Sequence, residues 1–327
     1  MKPAVLVTQR LPAAAMAQLA SGCTVDLHAG RDPLPPAELR GRLQGKAGLV
    51  CLFQDTIDRR LLEAAPDLRV VANVGVGYDH IDVACARSRG IVVTNTPDVL
   101  TAAVAELTWG LILAVSRRIA EGDRLIRAGR WQGWTLDFML GAELHGKQLG
   151  IVGPGRIGRA VAERAAAFGM RVVAAGREPP AGASRGADTA GGDWRRVLLD
   201  ELLVTSDVVS LHVPLSPGTR HLVDRRALTR MKRTALLINT ARGAVVDEAA
   251  LVWALQERLI AGAALDVYER EPAVAQGLLA LENVVLAPHL GSGTRETRAA
   301  MAELAVANAL AVLGGKPPLT PVAPREA

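Results

Sequence analysis

The stretch that most restricts how this chain can fold runs from Leu149 to Arg177, LGIVGPGRIGRAVAERAAAFGMRVVAAGR. Leu149 to Val152 is a short apolar run of strand length. Gly153, Gly155 and Gly158 then make G-x-G-x-x-G, and Ile157, Ala160, Val161, Ala165 and Phe168 recur at helical spacing until Gly169. Met170 to Ala175 reads as a second buried strand. The pattern predicts strand, glycine turn, helix and strand, the unit that holds a dinucleotide. In such a unit the first glycine permits a tight turn, the second lets backbone N–H groups approach a pyrophosphate, and the third packs helix on strand. The anion rests on the helix N-terminus. Beyond the second strand, where an NAD site carries an acid for the ribose hydroxyls, stand Gly176 and Arg177. An acid there repels a 2′-phosphate, whereas glycine leaves room and arginine offers a fork of donors. The expected coenzyme is therefore NADP(H), with NAD(H) as the lesser possibility.

At 327 residues the chain is long enough for two domains, each with its own core. Half of it is apolar and 22% is charged, the profile of a globular α/β enzyme. The net charge of +5 is spread without any long Lys/Arg block, so neither nucleic acid nor membrane is an expected partner; anionic small molecules suit it equally well. Cys23, Cys51 and Cys85 are scattered and form no C-x-x-C, which points to free thiols in a reducing compartment. The N-terminal apolar run is too short for a signal peptide, and the apolar helix around Leu107 to Val115 is too short to span a bilayer. The expected location is the cytoplasm.

From Ala4 to Thr94 five short apolar runs alternate with four amphipathic ones. The strands are expected at Ala4 to Thr8, Thr24 to His28, Gly48 to Phe53, Leu68 to Ala72 and Ile91 to Thr94. Helical patterns lie between them at Pro12 to Ala20, Pro36 to Leu43, Asp58 to Ala65 and Ile81 to Arg89. This predicts an open parallel sheet with helices on both faces, and ligands bind beyond the carboxyl ends of such strands. Attention falls on Asn73 to Asp79, where Gly75 and Gly77 follow a strand directly and exposed N–H groups could hold a small carboxylate. A plain turn is the alternative.

A long apolar helix from Thr101 to Arg118 follows, expected at a domain or subunit contact because its apolar residues nearly encircle it. Ala120 to His145 then concentrates Trp131, Trp134, Phe138 and Met139 in a chain with only 3% aromatics. A projecting arm packed on a partner subunit would explain this, as would a core cluster. After the dinucleotide unit come strands at Asp207 to His212, Ala235 to Asn239, Ala261 to Tyr268 and Val284 to Ala287, then a helix from Arg295 to Leu313.

Three of the clusters after these strands supply one strong candidate each: Arg242, Glu271 and His289. Hydride transfer to a 2-oxo acid needs a proton donor for the carbonyl oxygen, a fixed cation for the carboxylate, and a group that holds the donor. Imidazole titrates near neutrality, so His289 fits the donor. Glu271 would orient the ring and balance its charge, and Arg242 would bind the carboxylate and polarise the carbonyl. His212 would line the site. His28, His80, His145 and His221 lack any ligand spacing, so no metal is expected.

The motifs GPGRIG, HVPLSPGT, INTARGAVVDEAAL, GAALDVYEREP and NVVLAPHLGSGT, with NVGVGYDHID and NTPDVLTAAVAEL, resemble the D-isomer-specific 2-hydroxyacid dehydrogenase family over nearly the whole chain. Within it the likeness is to the glyoxylate/hydroxypyruvate reductases, which similarly carry a W-x-x-W segment and a Gly-Arg or Ser-Arg pair. The resemblance implies two doubly wound parallel-sheet domains with a cleft between them. A flavodoxin-like substrate domain would comprise residues 1–98 and 292–327, and a Rossmann-like coenzyme domain residues 99–291, with a dimerisation arm at about 120–145. It further implies a catalytic set of Arg242, Glu271 and His289, with substrate carboxylate on the Val76 and Gly77 N–H groups. The pocket would draw on Leu52, Phe53 and the partner subunit's Trp134. Coenzyme contacts are implied at Gly153, Pro154, Gly155, Arg156, Ile157 and Gly158, at Gly176, Arg177 and Glu178, and at His212, Val213, Pro214 and Thr219. Thr240, Ala241, Arg242, Asp266, His289 and Gly291 complete that set. Pro154 departs from the Leu or Phe usual in the family, a change expected to have little consequence. The expected activity is NADPH-preferring reduction of glyoxylate and hydroxypyruvate by a homodimer. A relative acting on 2-ketogluconate, phosphonate or 3-phosphoglycerate, and a coenzyme-sensing co-repressor without turnover, are the alternatives.

Overall fold

The computed structural model describes residues 2–30, 32–176 and 194–322. The chain divides into two compact units, Met1–Leu100 with Gly293–Ala327, and Thr101–Ser292.

The first unit alternates strand and helix as its apolar runs require. Its strands are β1 (Ala4–Val7), β2 (Thr24–Leu27), β3 (Gly48–Cys51), β4 (Val70–Asn73) and β5 (Val92–Thr94). Between them lie α1 (Ala13–Gly22), α2 (Pro36–Arg42), α3 (Arg59–Glu63) and α4 (Val83–Ser88). Asp58 and Asp82 start the last two helices by accepting the N–H groups of Leu61 and Cys85, which trims each below its apolar pattern. The strands pair in parallel in the order β2-β1-β3-β4-β5, the flavodoxin-like order, whose reversal point lies between β1 and β3. Leu6, Leu49 and Val71 pack on one face with Leu39, Leu62 and Ala86. Val5, Val7, Val50 and Val70 face the other way, onto Ala15 and Leu19 and onto Ala302, Val306 and Ala309 of the chain's last helix.

The second unit begins with two helices, α5 (Thr101–Ser116) and α6 (Ile119–Arg127). The strand–turn–helix at its centre is β6 (Gln148–Val152) and α7 (Arg156–Arg164), followed by β7 (Arg171–Ala175) and the short β8 (Arg195–Arg196). Next come α8 (Leu199–Thr205), β9 (Val208–Leu211), α9 (Arg225–Arg230), β10 (Leu236–Asn239) and α10 (Glu248–Gln256). The series closes with β11 (Gly262–Leu265), α11 (Gln276–Leu279) and β12 (Val284–Leu286); α12 (Arg295–Leu313) then belongs to the first unit. All strands are parallel, in the order β12-β11-β10-β9-β6-β7-β8. This is the Rossmann order extended by one strand, and its reversal point lies between β6 and β9, where the glycine turn emerges.

Two expectations change here. The apolar α5 is no subunit contact along its buried face: it packs within its own unit, where Trp109 donates its indole N–H to Val161 O at 3.0 Å and stacks on Phe168 with centroids 4.3 Å apart. The aromatic segment is no core cluster either, because Trp131, Trp134 and Leu136 are 56%, 72% and 84% exposed. The helix after the glycine turn also tightens early, into a 3-10 turn over Ala165–Phe168 that Gly169 closes at φ +64.

Candidate active site

The glycine turn divides its labour as the spacing requires. Gly153 has φ +93, and a Cβ there would lie 2.8 Å from His212 C and O. A Cβ on Gly158 would meet Gly153 O at 2.3 Å, so this glycine lets α7 seat on β6. Gly155 is different: nothing stands within 4 Å of its would-be Cβ. It is the N-cap of α7, and no side chain caps the helix there. An open cradle at the positive end of a helix that has no side-chain cap suits a pyrophosphate, so these residues fit a dinucleotide. Pro154, Arg156 and Ile157 occupy the same turn, with Pro154 O accepting Arg159 Nε at 3.1 Å. Gly176, at the end of β7, is exposed. A Cβ there would sit 2.7 Å from Pro154 Cδ, so Pro154 occupies the space that an acid side chain at 176 would need. Arg177 and Glu178 lie outside the described residues.

Across the reversal point β9 leads into His212, Val213 and Pro214. Desolvation pushes the His212 imidazole down to a pKa of about 3, and the neutral ring shares a hydrogen bond with Ser210 Oγ at 2.9 Å. Thr219 closes this loop, its hydroxyl donating to Pro214 O at 2.6 Å and accepting from Ser216 N at 2.8 Å.

The next three strands are adjacent and in register, Asn239 opposite Leu265 and Leu265 opposite Leu286. Arg242, Glu271 and His289 therefore leave the same edge of one sheet. Each is held by a local device. The fully buried Asn239 folds the Thr240–Ala241–Arg242 turn around its amide, accepting Ala241 N at 3.1 Å and donating to Arg242 O at 2.9 Å. Thr240 Oγ1 lies 3.1 Å from Thr108 Oγ1 on α5. Gly243 admits the neighbouring loop, since a Cβ there would fall 1.8 Å from Tyr268 C. That loop curls back so that Glu271 Oε1 accepts Tyr268 N at 3.0 Å, while the Tyr268 hydroxyl donates to Ala287 O at 2.9 Å. Burial lifts the Tyr268 phenol to about 12, so it stays a donor. Beneath it, Glu248 Oε1 accepts Glu269 N at 2.6 Å, and His221 Nε2 lies 2.8 Å from Glu269 Oε1. Burial first, and the charges of Glu269 and Glu271 after it, raise the Glu248 carboxyl.

His289 adopts a left-handed conformation, φ +53. The turn persists because Asp266, 1% exposed, accepts Leu290 N at 2.6 Å and Gly291 N at 2.8 Å, while His289 N donates to Asp266 O at 2.9 Å. Asp266 and Gly291, expected beside the coenzyme, thus hold each other in this structure. Burial raises the Asp266 carboxyl, against the lowering effect of those N–H groups. The result is a ring whose Nδ1 stands 2.7 Å from Glu271 Oε2. A carboxylate accepts only, so Nδ1 carries the proton of this bond and Nε2 is the ring's other exchange position.

In the first unit, Leu52, Val76 and Gly77 follow β3 and β4, and Trp134 belongs to the second unit, on the exposed segment after α6. Asp55, buried at the reversal point, accepts Leu52 N at 2.8 Å and the Thr8 hydroxyl at 2.5 Å, which fixes the turn that carries Leu52. The turn-holding roles of Asp55, Asn73 and Asn239 leave no spacing signal in the sequence.

The match of residues 109–291 to the model of the D-isomer specific 2-hydroxyacid dehydrogenase NAD binding domain settles what this architecture is. The chain belongs to the D-isomer specific 2-hydroxyacid dehydrogenase family. It is 48% identical over 321 residues to a glyoxylate reductase of Thermofilum pendens, covering 97% of this chain and 93% of that protein. Against a glyoxylate reductase of Thermococcus litoralis the identity is 45%, covering 97% and 96%. Among solved structures, a Thermus thermophilus protein superposes with a TM-score of 0.90 at 48% identity, covering 98% of this chain and all of that one. The NADPH-dependent glyoxylate/hydroxypyruvate reductase of Sinorhizobium meliloti, in complex with NADP and malonate, gives 0.86 at 36% identity over the full length of both. This chain is thus an NAD(P)-dependent 2-hydroxyacid dehydrogenase with a nicotinamide coenzyme domain. No helix among its described residues is long and apolar enough to cross a membrane.

Proposed function

We propose that this dehydrogenase reduces small 2-oxo acids, glyoxylate to glycolate and hydroxypyruvate to D-glycerate, with NADPH preferred over NADH. The observation that carries the reading is the His289–Glu271 pair, 2.7 Å apart on the sheet edge where the glycine cradle also opens. The bound nicotinamide supplies the hydride. Nε2 of His289 gives its proton to the oxygen formed at C2, and Glu271, fixed by Tyr268 N, holds the ring and balances its charge. Arg242 binds the carboxylate and polarises the carbonyl. In the first unit, the Val76 and Gly77 N–H groups offer donors to a small carboxylate. The glyoxylate reductase relatives support the substrate class. The NADPH preference rests on Gly176 with Arg177, and on the Pro154 ring that fills the place of an acid. The exposed Trp131, Trp134 and Leu136 support a homodimer built through that arm, with the partner subunit's Trp134 beside the substrate.

The test is purified protein with NADPH and NADH in turn against a panel of 2-oxo acids, following loss of reduced nicotinamide. Turnover of glyoxylate and hydroxypyruvate, faster with NADPH, is expected. Coenzyme binding with no turnover of any acid would overturn the reading, and gel filtration as a monomer would overturn the dimer.

A further inference from the structure

We infer that Asn95, Thr320 and Asn308 are positioning residues that aim the carboxylate-binding Gly77 N–H from the far end of the chain. The inference rests on the proposed role of Val76 and Gly77. In a trans peptide unit the C=O and the next N–H point in opposite directions, so whatever anchors a carbonyl aims the following N–H away from the anchor. The loop after β4 uses this at every unit. Gly75 O accepts Thr96 N at 3.0 Å and Asn73 Nδ2 at 3.0 Å, which directs Val76 N–H. Val76 O accepts Asn95 Nδ2 at 2.9 Å, which directs Gly77 N–H. Gly77 O accepts Asn73 Nδ2 at 2.8 Å. With their carbonyls turned inward, Val76 and Gly77 present N–H groups that have no acceptor among the described residues.

Asn73 sits on β4 itself, but Asn95 lies just past β5 and needs its own anchor. The chain's C-terminal segment provides it. Thr320 Oγ1 donates to Asn95 O at 2.6 Å, and Asn95 N donates to Thr320 O at 3.3 Å. Thr320 is in turn gripped by Asn308, fully buried on α12. The Asn308 amide donates to Thr320 Oγ1 at 2.8 Å and to Leu304 O at 2.9 Å, and its oxygen accepts Leu319 N at 2.9 Å and Thr320 N at 3.0 Å. All of its hydrogen-bonding capacity is spent, three bonds of it on a segment more than ten residues away. Val322 N then donates to Val93 O at 2.9 Å and its side chain enters the core, so the segment is pinned on both sides of Thr320. Each residue accepts from the one before and donates to the one after, from Asn308 through Thr320 and Asn95 to Val76 O.

The experiment compares Thr320→Val, Thr320→Ser and Asn95→Ala with the wild type, using NADPH-dependent glyoxylate reduction and calorimetric binding of oxamate, a carboxylate that does not turn over. Thr320→Val keeps the shape of the side chain and removes the donor. The expected result is a rise of about tenfold in KM for glyoxylate and in the oxamate Kd for Thr320→Val and Asn95→Ala, the lower range for one hydrogen bond to a charged group. kcat and the NADPH Kd stay within twofold, the signature of lost uniform binding, which a general loss of folding would not give. Thr320→Ser restores the wild-type values. Unchanged KM and oxamate Kd in both variants would overturn the inference while the proposed function stands. A wild type that binds oxamate with the expected Thr320→Val effect but does not reduce glyoxylate would overturn the proposed function alone. A wild type that binds no oxamate overturns both.

Discussion

Alanine placed at two glycines three residues apart has opposite consequences in this fold. At Gly158 the new Cβ would lie 2.3 Å from Gly153 O and 3.0 Å from Ile151 Cγ2. An ordinary C···O contact is about 3.3 Å or more, so α7 must retreat from β6 by about 1 Å. Overpacking of that kind costs about 1–3 kcal/mol. In a domain of this size that lowers Tm by about 2–12 °C. At Gly155 the backbone is extended, φ −78 and ψ −166, and nothing lies within 4 Å. Alanine there meets no atom, and the gain of up to about 1 kcal/mol from a less free unfolded chain is offset by a loss of similar size at the N-cap of α7, where glycine is preferred to alanine. Its methyl group instead occupies the space through which a pyrophosphate reaches the N–H groups of α7. Losing one hydrogen bond to a charged phosphate costs about 1.5–3 kcal/mol, or about 10- to 150-fold in Kd. Thermal melts without coenzyme and calorimetric titration with NADPH separate the two effects. Gly155→Ala should melt near the wild type and bind NADPH weakly, while Gly158→Ala melts low. A Gly155→Ala variant that binds NADPH like the wild type would refute the reading of the cradle.

Three further outcomes follow from contacts elsewhere. Gly243→Ala forces the Arg242 turn off the Tyr268 backbone, and because a misplacement of about 1 Å can cost about a hundredfold in rate, kcat should fall by that order; an unchanged kcat refutes the coupling of Arg242 to Glu271 through this contact. Gly176→Asp should weaken binding of both coenzymes because the Pro154 ring blocks the new side chain, and adding Pro154→Leu should raise the NADH:NADPH ratio of kcat/KM by more than the two single changes combined; strict additivity contradicts the contact. Asp207 is a test of acid stability. Burial alone raises its carboxyl, but Gln148 N at 2.9 Å and the Lys232 ammonium at 2.9 Å outweigh burial and hold it below the ordinary 3.8. A depressed folded value contributes stability that is present above the ordinary range and is lost as pH falls through the folded value. Asp207→Asn should therefore be less stable than the wild type at pH 7, and the difference in urea melts should close as pH falls below the ordinary carboxylate range; a gap that persists in acid contradicts the assignment.

Both sheets were legible because parallel strands covered on two faces are written as uninterrupted apolar runs, such as Gly48 to Cys51 and Leu236 to Ile238, separated by helices at fixed periods. The glycine turn and the edge positions of Arg242, Glu271 and His289 were legible for the same reason: each follows a strand end that the pattern marks. Boundaries were less so. The Ala261 to Tyr268 run is strand only to Leu265, since Val267 and Tyr268 pack into the core from the loop that delivers Glu271. Least legible were the residues that hold loops by burying polar groups. Asp266 accepts the Leu290 and Gly291 N–H groups, a link that spacing does not show, and nothing local in the sequence relates Asn308 to Thr320 or Thr320 to Asn95. Such pairs meet only once the sheet has formed. Nor does spacing show that the Pro154 ring lies against Gly176, just past the next strand.

In the proposed reaction a hydride passes from nicotinamide to C2 of a small 2-oxo acid while His289 supplies the proton. Hydroxypyruvate incubated with NADPH carrying deuterium at C4 of the reduced ring, and the product resolved by chirality and mass, tests it most directly. The account predicts D-glycerate with deuterium at C2 from the wild type, and a His289→Gln variant that binds NADPH normally but forms product at least a hundredfold more slowly, the lower range for loss of a general acid. Glycerate without the label, the L-isomer, or a His289→Gln variant as fast as the wild type would contradict it.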